Sequence, residues 1–221
     1  MAELTGGALD PTVGHAMEQA GFNTNYVTGE QVRTVAPGDA PATYHDIILD
    51  RDAHTVTLLR PLALDLGAVA KGFAIDLAAR ELDGLPGFVI NAGGDILARG
   101  LNADGESWWI GIRHPRRPAE LLTSLRVTDA AVCTSGDYER PRAAGGHHII
   151  DPVAGGSAGM AISVTVIAPT AVVADALSTA VFVLGPKAGM RLLEAQGVDG
   201  LIVEPDLNIV ATAGMKEYAS W

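Results

Sequence analysis

At 221 residues, with 48% hydrophobic and 19% charged side chains, the chain has the composition of a globular protein, and its apolar content excludes intrinsic disorder. A formal net charge of −11 argues against nucleic acid or an anionic membrane surface as a partner, so an anionic ligand needs locally placed donors or a metal. The single cysteine, Cys133, excludes a disulfide framework and sits in an apolar strand-like run where structural filler is the expected role.

The opening stretch "MAELTGGALDPTVG" lacks a basic segment followed by an apolar one, so no signal peptide is read and a cytoplasmic location is expected. "APGDAPA" (Ala36 to Ala42) is a loop by composition. "YHDIILD" and "HTVTLLR", joined by a short Arg-Asp-Ala link, read as a hairpin. From Gly67 the pattern turns helical: Val69, Phe73 and Leu77 recur at helical spacing, and Asp65 is placed to cap the N-terminus. "GFVINAGGDILARG" reads as two short strands about a Gly-Gly turn. "SWWIGIR", "LLTSLRV", "AVCTSG" and "HHIID" are further strands, with "HPRRPAE" (His114 to Glu120) a basic loop between the first two. By strand alternation, His148 and Ile150 then share a face.

The greasiest region, Gly159 to Gly185, is interrupted by Pro169 and Asp175, and its β-branched residues crowd into the first half. That pattern fits a strand "ISVTVIA", a turn and a helix from Thr170 to about Leu184 better than a membrane span. A second helix, "PKAGMRLLEAQG", and strands "GLIVE" and "LNIVAT" complete the chain. Strands outnumber helices and mostly follow one another. The expected fold class is therefore α+β: a single domain over residues 1–221, with a largely antiparallel sheet and packed helices.

Several stretches carry chemistry. "LDLGAVAKG" (Leu64 to Gly72) puts Asp65 and Lys71 into a small, apolar run. A buried ion pair would stabilise a core poorly, whereas a site for a phosphate or polar ring needs this mixture. "INAGGDI" joins an amide, two glycines and a carboxylate, and a tight turn alone explains it as well as a ligand loop does. "CTSGDYER" is either a polar hairpin or a ligand loop, and "HHIIDP" is either structural or a source of an imidazole. In "ADALSTA", Asp175 and Thr179 lie one helical turn apart in apolar surroundings. They form either a buried Asp–Thr hydrogen bond or part of the shell of a hard cation.

Taken in order, "TGGALDPTVG", "LDLGAVAKGFAID", "INAGGDI", "TSGDYER", "HHIIDP" and "VTVIAPTAVVADALSTAVFVLG" closely resemble the ApbE family of FAD:protein FMN transferases. The resemblance runs from Thr5 almost to the C-terminus. The family's N-terminal segment, with its Ser-x-x-Ser-x-x-Asn motif, has no counterpart in these residues. The resemblance implies Mg²⁺-dependent transfer of FMN from FAD onto a threonine of an acceptor flavoprotein, with release of AMP. By motif position, Ala8, Leu9, Asp10, Asp65, Lys71 and Ile150 fall where the family contacts FAD. The Mg²⁺ ligands would be the Ala68 backbone oxygen and the side chains of Asp175 and Thr179, and His148 is the candidate to accept the threonine proton. Two alternatives stay open: an FAD pyrophosphatase giving FMN and AMP, and a non-catalytic FAD-binding protein.

Overall fold

The structure is a computed structural model that describes residues 1–25, 27–32, 42–140 and 145–219. Its centre is a six-stranded antiparallel sheet. In sheet order the strands are β10 (Ile209–Ala211), β9 (Asp199–Val203), β8 (Ser163–Ala168), β7 (Ala130–Gly136), β4 (Asp95–Gly100) and β3 (Gly87–Ala92). Strands β5 (Trp108–Arg113) and β6 (Leu121–Val127) form a separate hairpin, as do β1 (Ile47–Asp50) and β2 (Thr55–Leu58). The helices are the short α1 (Gly14–Gln19), α2 (Gly67–Glu81) and α3 (Ala171–Gln196). The α+β class and its antiparallel sheet are as expected from the sequence.

Both faces of the sheet are covered. On one, Leu97, Cys133, Val164 and Val166 pack with Ile75 of α2 and with Leu177, Val181 and Phe182 of α3. On the other, Val132, Ile167 and Leu201 pack with Ile110, Ile112, Leu125 and Val127 of the β5–β6 hairpin. Strand β8 is buried along its whole length as a result, which is why "ISVTVIA" is a continuous apolar run rather than an alternating one. Helix α3 is long and apolar enough to cross a membrane, but here it lies on the sheet with Phe182 fully buried. Gly185 (φ 72°, ψ 179°) breaks it into two legs and Pro186 starts the second, matching the two helices read from the sequence.

Three readings need correction, and a fourth lies almost wholly outside the described residues. "HHIID" is not a continuous strand: only isolated bridge positions occur in it, at His147 and at Ile150, which pairs with Ser157, so alternation does not set the direction of His148. The His147 ring supplies the local order instead, accepting the Ile149 amide at Nδ1 (3.2 Å) and meeting the Ala158 carbonyl at Nε2 (2.7 Å). The buried face of α2 is not the Phe73 and Leu77 stripe, both of which are exposed, but Gly72 and Ile75. Helix α2 is capped at Leu66 rather than Asp65, although the Asp65 carboxylate still accepts the Gly67 amide at 2.8 Å. Of the loop at Ala36 to Ala42, all but Ala42 lies outside the described residues.

Small residues are buried on α2 because α3 crosses it there. A Cβ on Gly72 would press on the Ala171 carbonyl and lie 2.6 Å from the Val172 Cα. One turn along α2, Asp76 accepts the amides of Ala171 (2.8 Å) and Val172 (2.9 Å), capping α3 from another helix while its own Thr170 makes no such bond. Gly72→Ala is expected to cost about 3 kcal/mol in urea denaturation, the upper end of overpacking effects, because backbone rather than a flexible side chain must move. Leu77→Ala, on the exposed face, is expected to stay within about 0.5 kcal/mol.

Candidate active site

A cavity of about 730 Å³ opens between the N-terminal loop, the start of α2, the β5–β6 hairpin, the ends of β4 and β7, and α3. All ten residues singled out from the sequence line it: Ala8, Leu9, Asp10, Asp65, Ala68, Lys71, His148, Ile150, Asp175 and Thr179.

The N-terminal loop is held by its own side chains. Asp10 Oδ1 accepts both the amide (2.9 Å) and the hydroxyl (2.8 Å) of Thr12, and Oδ2 accepts the Tyr44 amide at 2.9 Å. Its carboxylate is therefore spent on the backbone, a latch that sequence reasoning did not give it. The Asp65 amide donates to the Pro11 carbonyl (2.8 Å), joining this loop to the start of α2.

Asp175 is 4% exposed, and Oδ2 accepts the Gly72 amide at 3.0 Å. In an α-helix that amide points back at the carbonyl four residues earlier, here Ala68. Ala68, Asp175 and Thr179 line the same part of the molecule, the cavity wall made by the start of α2 and by α3. Of the two alternatives for Asp175 and Thr179, the hydrogen bond between them is not what holds Thr179; its hydroxyl pairs with Ser135 at 3.1 Å, and Ser135 also meets Ser178 at 2.8 Å. Burial pushes the Asp175 carboxyl up to about 6, against the opposing pull of Lys71 and the Gly72 amide. Among the described residues, no three His, Cys, Asp or Glu side chains cluster to bind a metal. A carbonyl, a hydroxyl and one undercompensated carboxylate nonetheless fit a hard, oxygen-seeking cation that keeps some of its water.

Lys71 is paired with Asp95, not with Asp65. Its Nζ contacts Asp95 Oδ2 and stands 3.9 Å from Asp175 Oδ1. Burial works against the ammonium, but the hydrogen bond and charge of Asp95 outweigh it and hold the Lys71 pKa above the ordinary lysine value. His148 is half-buried against the edge of Phe22, ring centroids 6.2 Å apart, and its Nδ1 has no hydrogen-bond partner among the described residues. Burial, followed by the charges of Arg140, His147 and Lys71, pushes the imidazole down to about 4, so it is neutral at pH 7 and able to accept a proton. Cys133 is buried with a raised thiol pKa, first through desolvation, which fits a structural role.

Comparison with known proteins decides the family. The ApbE family model matches residues 1–202. The chain belongs to the ApbE family. It is 43% identical over 185 residues to the FAD:protein FMN transferase of Treponema pallidum, covering 73% of this chain and 49% of that protein. With the FAD:protein FMN transferase of Vibrio cholerae it shares 35% identity, over 98% of this chain and 66% of that one. The crystal structure of the ApbE protein from Thermotoga maritima superposes with a TM-score of 0.87 at 33% identity, covering 100% of this chain and 74% of the other. The chain thus spans about half to two thirds of the length of these curated relatives.

Within this ApbE fold, the residues that sequence reasoning left without a role are Asp95, Ser135, Gly72 and Asp76. Asp95 carried a signal: an acidic residue opens a strand whose following residues are apolar, directly after two glycines. Asp76 carried none, since it caps a helix start 95 residues away.

The Asp175 shift has a signed consequence for stability. Its folded-state pKa of about 6 lies above its ordinary 3.8, so the metal-free fold carries the full cost of the charge above pH 6. The cost shrinks as pH falls from 6 towards 3.8 and the folded protein takes up the proton. Asp175→Asn is therefore expected to stabilise the metal-free protein by about 1–3 kcal/mol at pH 7.5 and by almost nothing near pH 4, measured by denaturant titration at both pH values.

Proposed function

We propose that this ApbE chain transfers FMN from FAD onto a threonine hydroxyl of an acceptor flavoprotein, using a divalent cation such as Mg²⁺ and releasing AMP. The observation that carries this reading is the meeting, in one cavity, of an undercompensated buried carboxylate, a lysine and a neutral imidazole. Relatives named FAD:protein FMN transferase support the flavin and the transfer.

In the reaction, the threonine oxygen bonds to the FMN-side phosphorus as the bond from that phosphorus to the AMP oxygen breaks. The threonine proton passes to His148, whose neutral ring has a lone pair to receive it. Burial is the main reason the imidazole sits low and would persist, but an anionic dinucleotide in the cavity would oppose the smaller contributions of Arg140, His147 and Lys71 and so raise its pKa from about 4. Lys71 supplies a fixed positive charge in a chain whose net charge of −11 otherwise repels phosphate. Bound Mg²⁺ would neutralise the pyrophosphate oxygens as charge moves onto the departing AMP. Asp175, Thr179 and Ala68 would hold it. Ala8, Leu9, Asp65 and Ile150 shape the walls against which FAD lies.

Incubation with FAD, Mg²⁺ and a threonine-bearing acceptor domain is expected to give flavinylated acceptor by mass spectrometry. Free FMN and AMP in place of that adduct would support the pyrophosphatase reading, and bound but unchanged FAD a binding protein. His148→Gln is expected to lower transfer by about 10²–10⁴-fold while FAD affinity, read by flavin fluorescence, stays within a few-fold. An unchanged rate in that variant would remove His148 from the chemistry.

A further inference from the structure

The Lys71 ammonium lies between two buried carboxylates: Asp95, 2% exposed, which it contacts directly, and Asp175, 4% exposed, at 3.9 Å. Asp95 is fixed in turn, because it opens β4 and its Oδ1 accepts the Thr134 amide of β7 at 3.3 Å. The lysine comes from α2, and Asp175 from α3, so the group links both helices to the sheet. The contacts are unequal. Asp95 holds the ammonium, while Asp175 feels its charge without forming a hydrogen bond with it.

We propose that Asp95 is a positioning residue: it tethers Lys71 so that the ammonium stands in for a divalent cation beside Asp175 without occupying the cation's place. This rests on the metal reading of Asp175 given above. Two buried carboxylates with no cation between them would be costly, and the tethered lysine offsets that cost in the metal-free protein. The tether also limits competition. At 3.9 Å the lysine weakens the attraction of Asp175 for a metal, but it does not coordinate Asp175 itself. Released from Asp95, Lys71 has Asp175 as its nearest remaining carboxylate and moves onto it.

Mn²⁺ binding in the absence of FAD, followed by electron paramagnetic resonance, tests this without any turnover. Lys71→Gln keeps a hydrogen bond to Asp95 but loses the charge, and is expected to tighten Mn²⁺ binding about tenfold, since roughly 1 pKa-sized unit of repulsion is removed. Asp95→Asn is expected to weaken it about tenfold. The decisive variant is the double substitution. If Asp95 acts by restraining Lys71, then Asp95→Asn has no effect once the lysine charge is gone, and the double variant binds Mn²⁺ like Lys71→Gln alone. Lys71→Arg, which retains charge and tether, stays close to wild type and serves as the conservative check should Lys71→Gln fold poorly. Strictly additive effects would overturn the proposal while leaving the metal site intact, as would singles that lower thermal stability without changing Mn²⁺ affinity. If the wild-type protein binds no Mn²⁺ and Asp175→Asn changes nothing, the metal reading fails and the proposal falls with it.

Discussion

The crossing of α2 over α3 at Gly72 is the contact on which the site depends. Only a residue without a side chain lets the two backbones come this close, and the Gly72 amide then reaches the Asp175 carboxylate at 3.0 Å. Asp76, one turn further along α2, captures the first amides of α3 and fixes its start. All three bonds run from one helix to the other, so neither helix can slide without losing a buried or part-buried hydrogen bond. The side chains of Asp175 and Thr179, one turn apart, are thereby aimed at the cavity.

The same crossing leaves Asp175 poorly compensated. One amide and a lysine at 3.9 Å do not offset the loss of water around a carboxylate, and its pKa rises to about 6. A purely structural position would have no need of such a group, since a buried carboxylate costs more than an apolar side chain of similar size. On the proposed metal reading, that unmet demand for positive charge is what the cation would satisfy, so the stability lost at Asp175 would be recovered as binding. Around it the supporting polar groups are satisfied: Ser135 engages Thr179, Asp95 engages Lys71, and Asp10 engages Thr12 and Tyr44.

Strands were legible in the sequence where burial is one-sided or complete. "ISVTVIA" and "GLIVE" are β-branched runs bounded by turn residues, and both became central strands. The kink of α3 was legible because Gly185 and Pro186 stand together. The buried face of α2 was not, because the close crossing selects Gly72 over the larger Phe73, reversing the usual link between size and burial. The "HHIID" segment misled for a different reason: its β-like composition is overruled by the His147 ring, which bonds its own neighbours' backbone. In the site, the ten residues named from the sequence all fall among those that line the cavity. The supporting contacts of Asp95 to Lys71, Asp76 to Ala171 and Ser135 to Thr179 span 24, 95 and 44 residues, so no local pattern names those pairs, even where the residue itself, as at Asp95, stands out.

The most direct test is anomalous diffraction from crystals soaked with Mn²⁺ and FAD. A peak within about 2.0–2.4 Å of an Asp175 carboxylate oxygen, the Thr179 hydroxyl and the Ala68 carbonyl is the predicted result. A peak bound only by FAD phosphates, with Asp175 still directed at the Gly72 amide and away from the metal, would contradict the account.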